Sequence, residues 1–252
     1  MEKLNHKHFY NDNFIIFGHR GVPQLCKENT LDSFLKAIEL NYTGIELDIM
    51  QTKDNQLIVH HDLNIIYGKK AIRIQELTLK QIKKAHPEIP KLKTILRKIG
   101  HRTNINIEIK EQKGNACSVV KETIKQLKAY NLVDNIIISS FSTKIIKYAK
   151  EEDDRFATAW IVGKKNLWFY SKWMFCLKNL KINAIHLKHK IINSKIIKQA
   201  NKKKIKVLAY TVNDEKSLKK IKKLRVDGIF TDSPDILIAS RLQPGQTNQL
   251  LK

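Results

Sequence analysis

The sequence predicts an α/β protein: a single (β/α)8 TIM-type barrel with a β-hairpin return after the second strand. Three observations carry this. Eight strand-like segments follow one another with helical stretches between most of them, the pattern of parallel strands joined by crossover helices. No composition break or linker divides the chain. A length of 252 residues suits one barrel, and 42% hydrophobic residues can fill its core. The expected organisation is one catalytic domain over residues 1–252, with flexible ends at about 1–12 and 243–252.

The elements follow in order. Phe14–Gly18 is a short apolar run ending in glycine, the first strand. From Glu28 to Leu40, Leu31, Phe34, Leu35 and Ile38 recur at the spacing of one helix face. Gly44–Met50 alternates strictly, with Ile45, Leu47 and Ile49 on one side and Glu46 and Asp48 on the other. Gln56–His61 is another strand, but the gap from Gln51 to Asn55 is too short for a crossover helix. Lys53-Asp54-Asn55 has turn chemistry, so the pair reads as a hairpin. Pairing about a centre near Asp54 sets His60 and His61 opposite Asp48 and Glu46. Residues 63–103 read as irregular, with helical pieces near Thr78–Ala85 and Leu92–Ile99. Ile105–Lys110 alternates again and puts Asn106, Glu108 and Lys110 on one face. Strands then fall at Asn135–Ser140, Arg155–Val162, Lys181–Leu187, Lys206–Val212 and Asp227–Thr231.

Charge is unevenly distributed. The net charge is +23, yet residues 1–62 hold 6 Lys/Arg against 9 Asp/Glu. A bound cation would explain the acidic quarter, and the positive remainder favours the approach of an anionic substrate. The lysines alternate with isoleucine and asparagine in segments such as Lys181–Lys206, which reads as solvated helix faces or as attraction to anionic lipid. No basic segment carries a nucleic-acid motif, and no nucleic-acid partner is expected. Cys26, Cys117 and Cys176 share no short metal-ligand spacing and are expected as reduced thiols. No secretory signal is expected in Met1–Gly18, and no run reaches the ~20 apolar residues of a spanning helix. A cytoplasmic protein, peripheral to the membrane at most, is the expectation.

Glu46, Asp48 and Glu108 are expected at strand ends, on the side where barrel enzymes place their sites. Three carboxylates converging on one point repel unless a cation holds them. An all-oxygen set suits one hard divalent cation, Mg²⁺ or Ca²⁺. His19 and His61 are the proton-transfer candidates, since imidazole titrates near neutral pH. Arg20 and Lys110 supply positive charge for a phosphate, Arg with a two-pronged grip. Glu28, in Glu28-Asn29-Thr30 at the opening of the first helix, reads as a supporting residue for capping and orientation.

Taken together, His19-Arg20-Gly21, Glu28-Asn29-Thr30, Glu46-Leu47-Asp48 and His61-Asp62 resemble the signature of the glycerophosphodiester phosphodiesterase family. The turn Thr52-Lys53-Asp54, Glu76-Leu77-Thr78, Ile107-Glu108-Ile109-Lys110, Ser140-Phe141, Thr211-Val212-Asn213 and Asp227-Gly228-Ile229-Phe230-Thr231-Asp232 are similar to family motifs, in the family's order. The resemblance implies a metal-dependent hydrolase that splits glycerophosphodiesters into glycerol phosphate and an alcohol, in lipid and glycerol metabolism. It implies Glu46, Asp48 and Glu108 as metal ligands, His19 and His61 as general acid and base, and Arg20 and Lys110 as phosphate-binding. The family's His-Asp pair favours His61 over His60. Two departures fall on the substrate side: Leu63–Ile72 lacks an Arg-Thr-Thr-x-Gly pattern, and Tyr210 stands where a tryptophan is common.

Two other functions fit parts of the pattern. One is lysophospholipase D-type hydrolysis of lyso-lipids at a membrane surface. The other is a non-catalytic basic barrel that binds membrane or nucleic acid, against which the intact carboxylates and histidines argue. Leu167–Leu180 is apolar nearly all round, and it is expected to present Trp168 and Trp173 as an exposed patch that adheres to anionic membrane.

Overall fold

The computed structural model describes residues 14–163 and 180–241. The expected flexible ends and the aromatic stretch carrying Trp168 and Trp173 lie outside the described residues, as does Cys176.

Eight parallel strands close on themselves. They are β1 (Ile15–Gly18), β2 (Gly44–Gln51), β6 (Asn104–Ile109), β7 (Ile136–Ser140), β8 (Ala157–Val162), β9 (Ala184–Lys188), β10 (Lys206–Tyr210) and β11 (Gly228–Thr231). The hydrogen-bonded order runs β1-β11-β10-β9-β8-β7-β6-β2, and pairing of β1 with β2 completes the ring. Closure removes both sheet edges, and the described crossover helices pack outside. Those helices are α1 (Leu31–Glu39), α2 (Leu79–Ala85), α3 (Leu92–Ile99), α4 (Ala116–Ala129), α5 (Thr143–Glu152), α6 (Ser194–Lys202), α7 (Glu215–Lys223) and α8 (Pro234–Arg241).

The strands are buried on both faces, which is why several read as near-continuous apolar runs. Alternation still sorts the faces. On β6, Ile105, Ile107 and Ile109 join the core beneath the helices, while Asn106 and Glu108 face the barrel axis. The barrel interior is filled at its lower end by Phe17 stacked on Phe230 (5.1 Å between ring centres) beside the small Ala157, Ala159 and Ala184. In α3, Leu92, Ile95, Leu96 and Ile99 recur on one face, and all four are buried. Thr78 opens α2 with a reciprocal cap, its hydroxyl accepting from Gln81 N while Gln81 Oε1 accepts from Thr78 N.

The hairpin return is present: β3 (Leu57–Val59) pairs antiparallel with the last residues of β2. Its register corrects one expectation. His60 N–H donates to Asp48 O (3.0 Å), so His60 does lie opposite Asp48, but the same register would set Asp62, not His61, against Glu46. The chain has left the strand after Val59, and His61 reaches the pocket from the loop.

A second correction concerns residues 63–103, where a two-stranded ribbon stands in a stretch read as irregular. β4 (Asn64–Tyr67) and β5 (Lys70–Arg73) pair across a tight turn at Gly68, whose φ of +65° favours glycine. The ribbon packs Ile65 inward and leaves Ile66 exposed, so its pattern is too weakly apolar to stand out. A third correction is that Glu46 and Asp48 lie inside β2 rather than at its end. The strand runs on because β3 pairs with Ile49–Gln51.

Candidate active site

At the C-terminal ends of the strands, a cavity of about 360 Å³ collects His19, Arg20, Glu46, His61, Glu108 and Lys110. Six of the eight expected site residues thus line one space. Asp48 is buried directly behind, and Glu28 contacts Arg20 from the loop before α1.

The loop after β1 explains His19-Arg20-Gly21. His19 N–H donates to Thr231 O (3.0 Å), continuing the β1–β11 pairing by one residue. Gly21 has a φ of +91°, and a Cβ there would collide with Ser33 of α1. The resulting tight turn aims Arg20 N–H at Glu46 Oε2 (2.8 Å). It also lets the guanidinium donate from Nη1 to both oxygens of Glu28 (3.0 and 3.1 Å).

The carboxylates form one cluster. Glu46, Asp48 and Glu108 are all buried, and each offers an oxygen within 4.8 Å of the others. Asp48 and Glu108 are register neighbours across β2 and β6, and Glu46 stands two residues earlier on the same face of β2. Lys110 Nζ bridges two of them, at 2.7 Å from Asp48 Oδ1 and 2.6 Å from Glu108 Oε1. Burial alone would raise Asp48, but the Lys110 charge and hydrogen bond, with Asn29 and Arg20, hold it below the usual carboxylate range. Burial and the Asp48 charge push Glu46 up to about 8. Burial likewise raises Glu108, against the opposing charge of Lys110. A trio in which one member is driven toward protonation by its neighbours is a like-charge site. A hard divalent cation fits this all-oxygen donor set and would relieve the repulsion.

The two histidines are each held by an aspartate. His19 Nδ1 donates to Asp232 Oδ1 (2.7 Å) and His61 Nδ1 to Asp62 Oδ1 (2.8 Å). Burial would lower His19, but the Asp232 bond and the charges of Glu46 and Asp232 outweigh it and raise the imidazole above its ordinary value. His60 is absent from the pocket lining, and burial lowers it.

Three residues of the site have roles that sequence pattern does not assign. Asn29 is buried with a φ of +56°. Its Nδ2 donates to Asp48 Oδ2 (2.8 Å) and its Oδ1 accepts from Asp48 N (3.2 Å), so it holds both the carboxylate and the backbone of Asp48. Capping of α1 falls to Thr30, whose side chain accepts from Ser33 N. Asp232 orients His19 and in turn accepts from Asn213 Nδ2 (2.6 Å). Asn29, Asp232 and Asn213 all sit within motifs visible in the sequence, which marks them as candidates but does not pair them.

Comparison with known proteins places this geometry. The model of the glycerophosphoryl diester phosphodiesterase family matches residues 19–236. A glycerophosphodiester phosphodiesterase from Caldanaerobacter subterraneus subsp. tengcongensis is 29% identical, over 89% of this chain and 96% of its own. Among solved structures, a glycerophosphodiester phosphodiesterase from Thermotoga maritima superposes with a TM-score of 0.78 at 24% identity, covering 91% of this chain and 99% of its own. A phosphodiesterase from Oleispira antarctica, solved with the product sn-glycerol-3-phosphate, superposes with a TM-score of 0.80 at 23% identity, covering 89% of this chain and 96% of its own.

Proposed function

The chain belongs to the glycerophosphoryl diester phosphodiesterase family and is a hydrolase of glycerophosphodiesters, and from that premise we propose how its own residues divide the work. The family is metal-dependent. We assign Glu46, Asp48 and Glu108 as the ligands of one divalent cation, Mg²⁺ or Ca²⁺. The observation that carries the assignment is the buried trio with mutual oxygen distances within 4.8 Å, on the same cavity as two histidines from different segments. When bound, such an ion would polarise a phosphoryl oxygen and neutralise developing negative charge.

The rest falls to the protein. Arg20 and Lys110 bind the phosphate: Glu28 orients the Arg20 guanidinium, and Lys110 keeps its proton because its carboxylate neighbours outweigh burial. His19 and His61 act as the general acid and base. Their Nδ1–H groups are committed to Asp232 and Asp62, so Nε2 is the atom that takes or gives the proton. The products are glycerol phosphate, of the kind bound in the Oleispira antarctica structure, and the released alcohol.

The reading extends to one catalytic domain over residues 1–252 and a cytoplasmic location with peripheral contact to anionic membrane. Support for the last is the basic surface; among the described residues no helix is long and apolar enough to cross a membrane. The test is release of choline or ethanolamine from the corresponding glycerophosphodiester with and without EDTA. Release that stops with EDTA and returns with Mg²⁺ or Ca²⁺ supports the reading, and release indifferent to EDTA overturns the metal assignment.

A further inference from the structure

Three lysine or arginine side chains line the cavity, and the chemistry above uses two. Arg20 is tied to Glu28 and Lys110 to Asp48 and Glu108. Lys188, at the end of β9, lines the same cavity with no carboxylate partner among the described residues. Its position in the ring matters. Counting through the hydrogen-bonded order, β9 lies four strands from β2 in either direction, so Lys188 stands diametrically across the barrel from Glu46 and Asp48. Of the two alcohol arms of a diester whose phosphate sits at Arg20 and Lys110, one can extend across the cavity toward Lys188.

The groups beside it are Ile161, Phe141 and Tyr210, the last two in edge-to-face contact (6.4 Å between ring centres). Among the described residues the acidic side chains that line the cavity are Glu46 and Glu108, on β2 and β6, and neither pairs with Lys188. An ammonium head group meets repulsion from Lys188 here and finds no carboxylate. A carboxylate or phosphate on the alcohol finds an unshared cation.

We propose that this enzyme prefers diesters whose departing alcohol carries an anionic group, with Lys188 as the residue that selects it. The inference rests on the placement of the phosphate given above. Glycerophosphoserine and glycerophosphoethanolamine test it, because they differ by a single carboxylate. Lys188 is exposed at the cavity mouth, and the expected ratio of kcat/KM in favour of glycerophosphoserine is about fivefold, the upper scale of one exposed charge pair. Lys188→Gln brings the ratio to about one, chiefly by lowering the glycerophosphoserine value. Lys190→Gln, outside the cavity lining, keeps the wild-type ratio. A wild-type ratio at or below one overturns the inference while leaving the diesterase reading in place. So does an equal loss of both substrates in Lys188→Gln, which would give Lys188 to the phosphate instead. Turnover of neither substrate by the wild type overturns the diesterase reading and this inference with it.

Discussion

On the side of the pocket built by β1, β2 and β6, the charged groups hold one another in place. Arg20 reaches Glu28 and Glu46, Asn29 holds Asp48, Lys110 joins Asp48 to Glu108, and His19 leans on Asp232. On the side built by β8, β9 and β10 the inward positions are mostly small or apolar. The polar ones, His186 and Lys188, lack partners of opposite charge among the described residues. The first arrangement fixes atoms where charge develops, since preorganised partners do not have to move during reaction. The second, among the described residues, offers mostly apolar surface to whatever part of the substrate varies. On the proposed assignments, reaction and selectivity fall to opposite strands of one ring.

The comparison breaks most directly at the carboxylates. Glu46→Gln, Asp48→Asn or Glu108→Gln removes one charge from the proposed ligand set with little change in volume, and each is expected to abolish turnover. The loss should exceed the ~10²–10³-fold cost of removing one stabilising donor. Circular dichroism should show the fold retained in Glu46→Gln and Glu108→Gln, where burial disfavours the charge, whereas Asp48→Asn gives up a charge that Lys110 and Arg20 hold and should lower stability as well as activity. Turnover within tenfold of wild type in any one variant would remove that residue from the set.

The histidines come next. His19→Ala and His61→Ala are each expected to cost ~10²-fold or more in kcat, the range of general acid–base catalysis, with His60→Ala costing much less. Asp232→Asn should reproduce part of the His19 loss, since it acts through that ring. Equal losses at His60 and His61 would mean that the loop after β3 presents the wrong imidazole.

How much of this is legible in the sequence depends on whether a contact is local. Glu46 and Asp48 share a face because strand residues two apart always do, and a hairpin centred near Asp54 is enough by itself to set His60 opposite Asp48. Eight strands and most helices follow from periodicity in the same way. The pairing of His19 with Asp232 spans 213 positions and of Asn29 with Asp48 spans 19, and no period connects them. Barrel closure makes the first, and the left-handed turn at Asn29 makes the second. The β4–β5 ribbon escapes for another reason: with one strand face exposed and only four residues per strand, its apolar signal is small. Lys188 is hidden among many lysines, because composition cannot say which of them faces inward.

The smallest expected effect sharpens the far side of the comparison. His186 is fully buried against Phe230 (4.7 Å between ring centres), its Nε2 has no hydrogen-bond partner among the described residues, and burial pushes its pKa down to about 3. In the unfolded chain the same imidazole takes a proton near its ordinary value of 6.5. Between those two values the unfolded state binds more protons, so stability is full above about 6.5, falls as pH drops through that window, and levels off near 3. The slope from one such group is at most about 1.4 kcal/mol per pH unit. Glu88, lowered to about 2 by Lys27, adds its own loss at lower pH, but that part is common to any variant that keeps the pair. Urea denaturation of the wild type and His186→Leu at a series of pH values between 7 and 4 isolates the histidine. The variant should lose stability less steeply than the wild type, even if it starts lower. Parallel profiles would mean that His186 accepts its proton inside the barrel, and the β9 side would then carry a second cation beside Lys188.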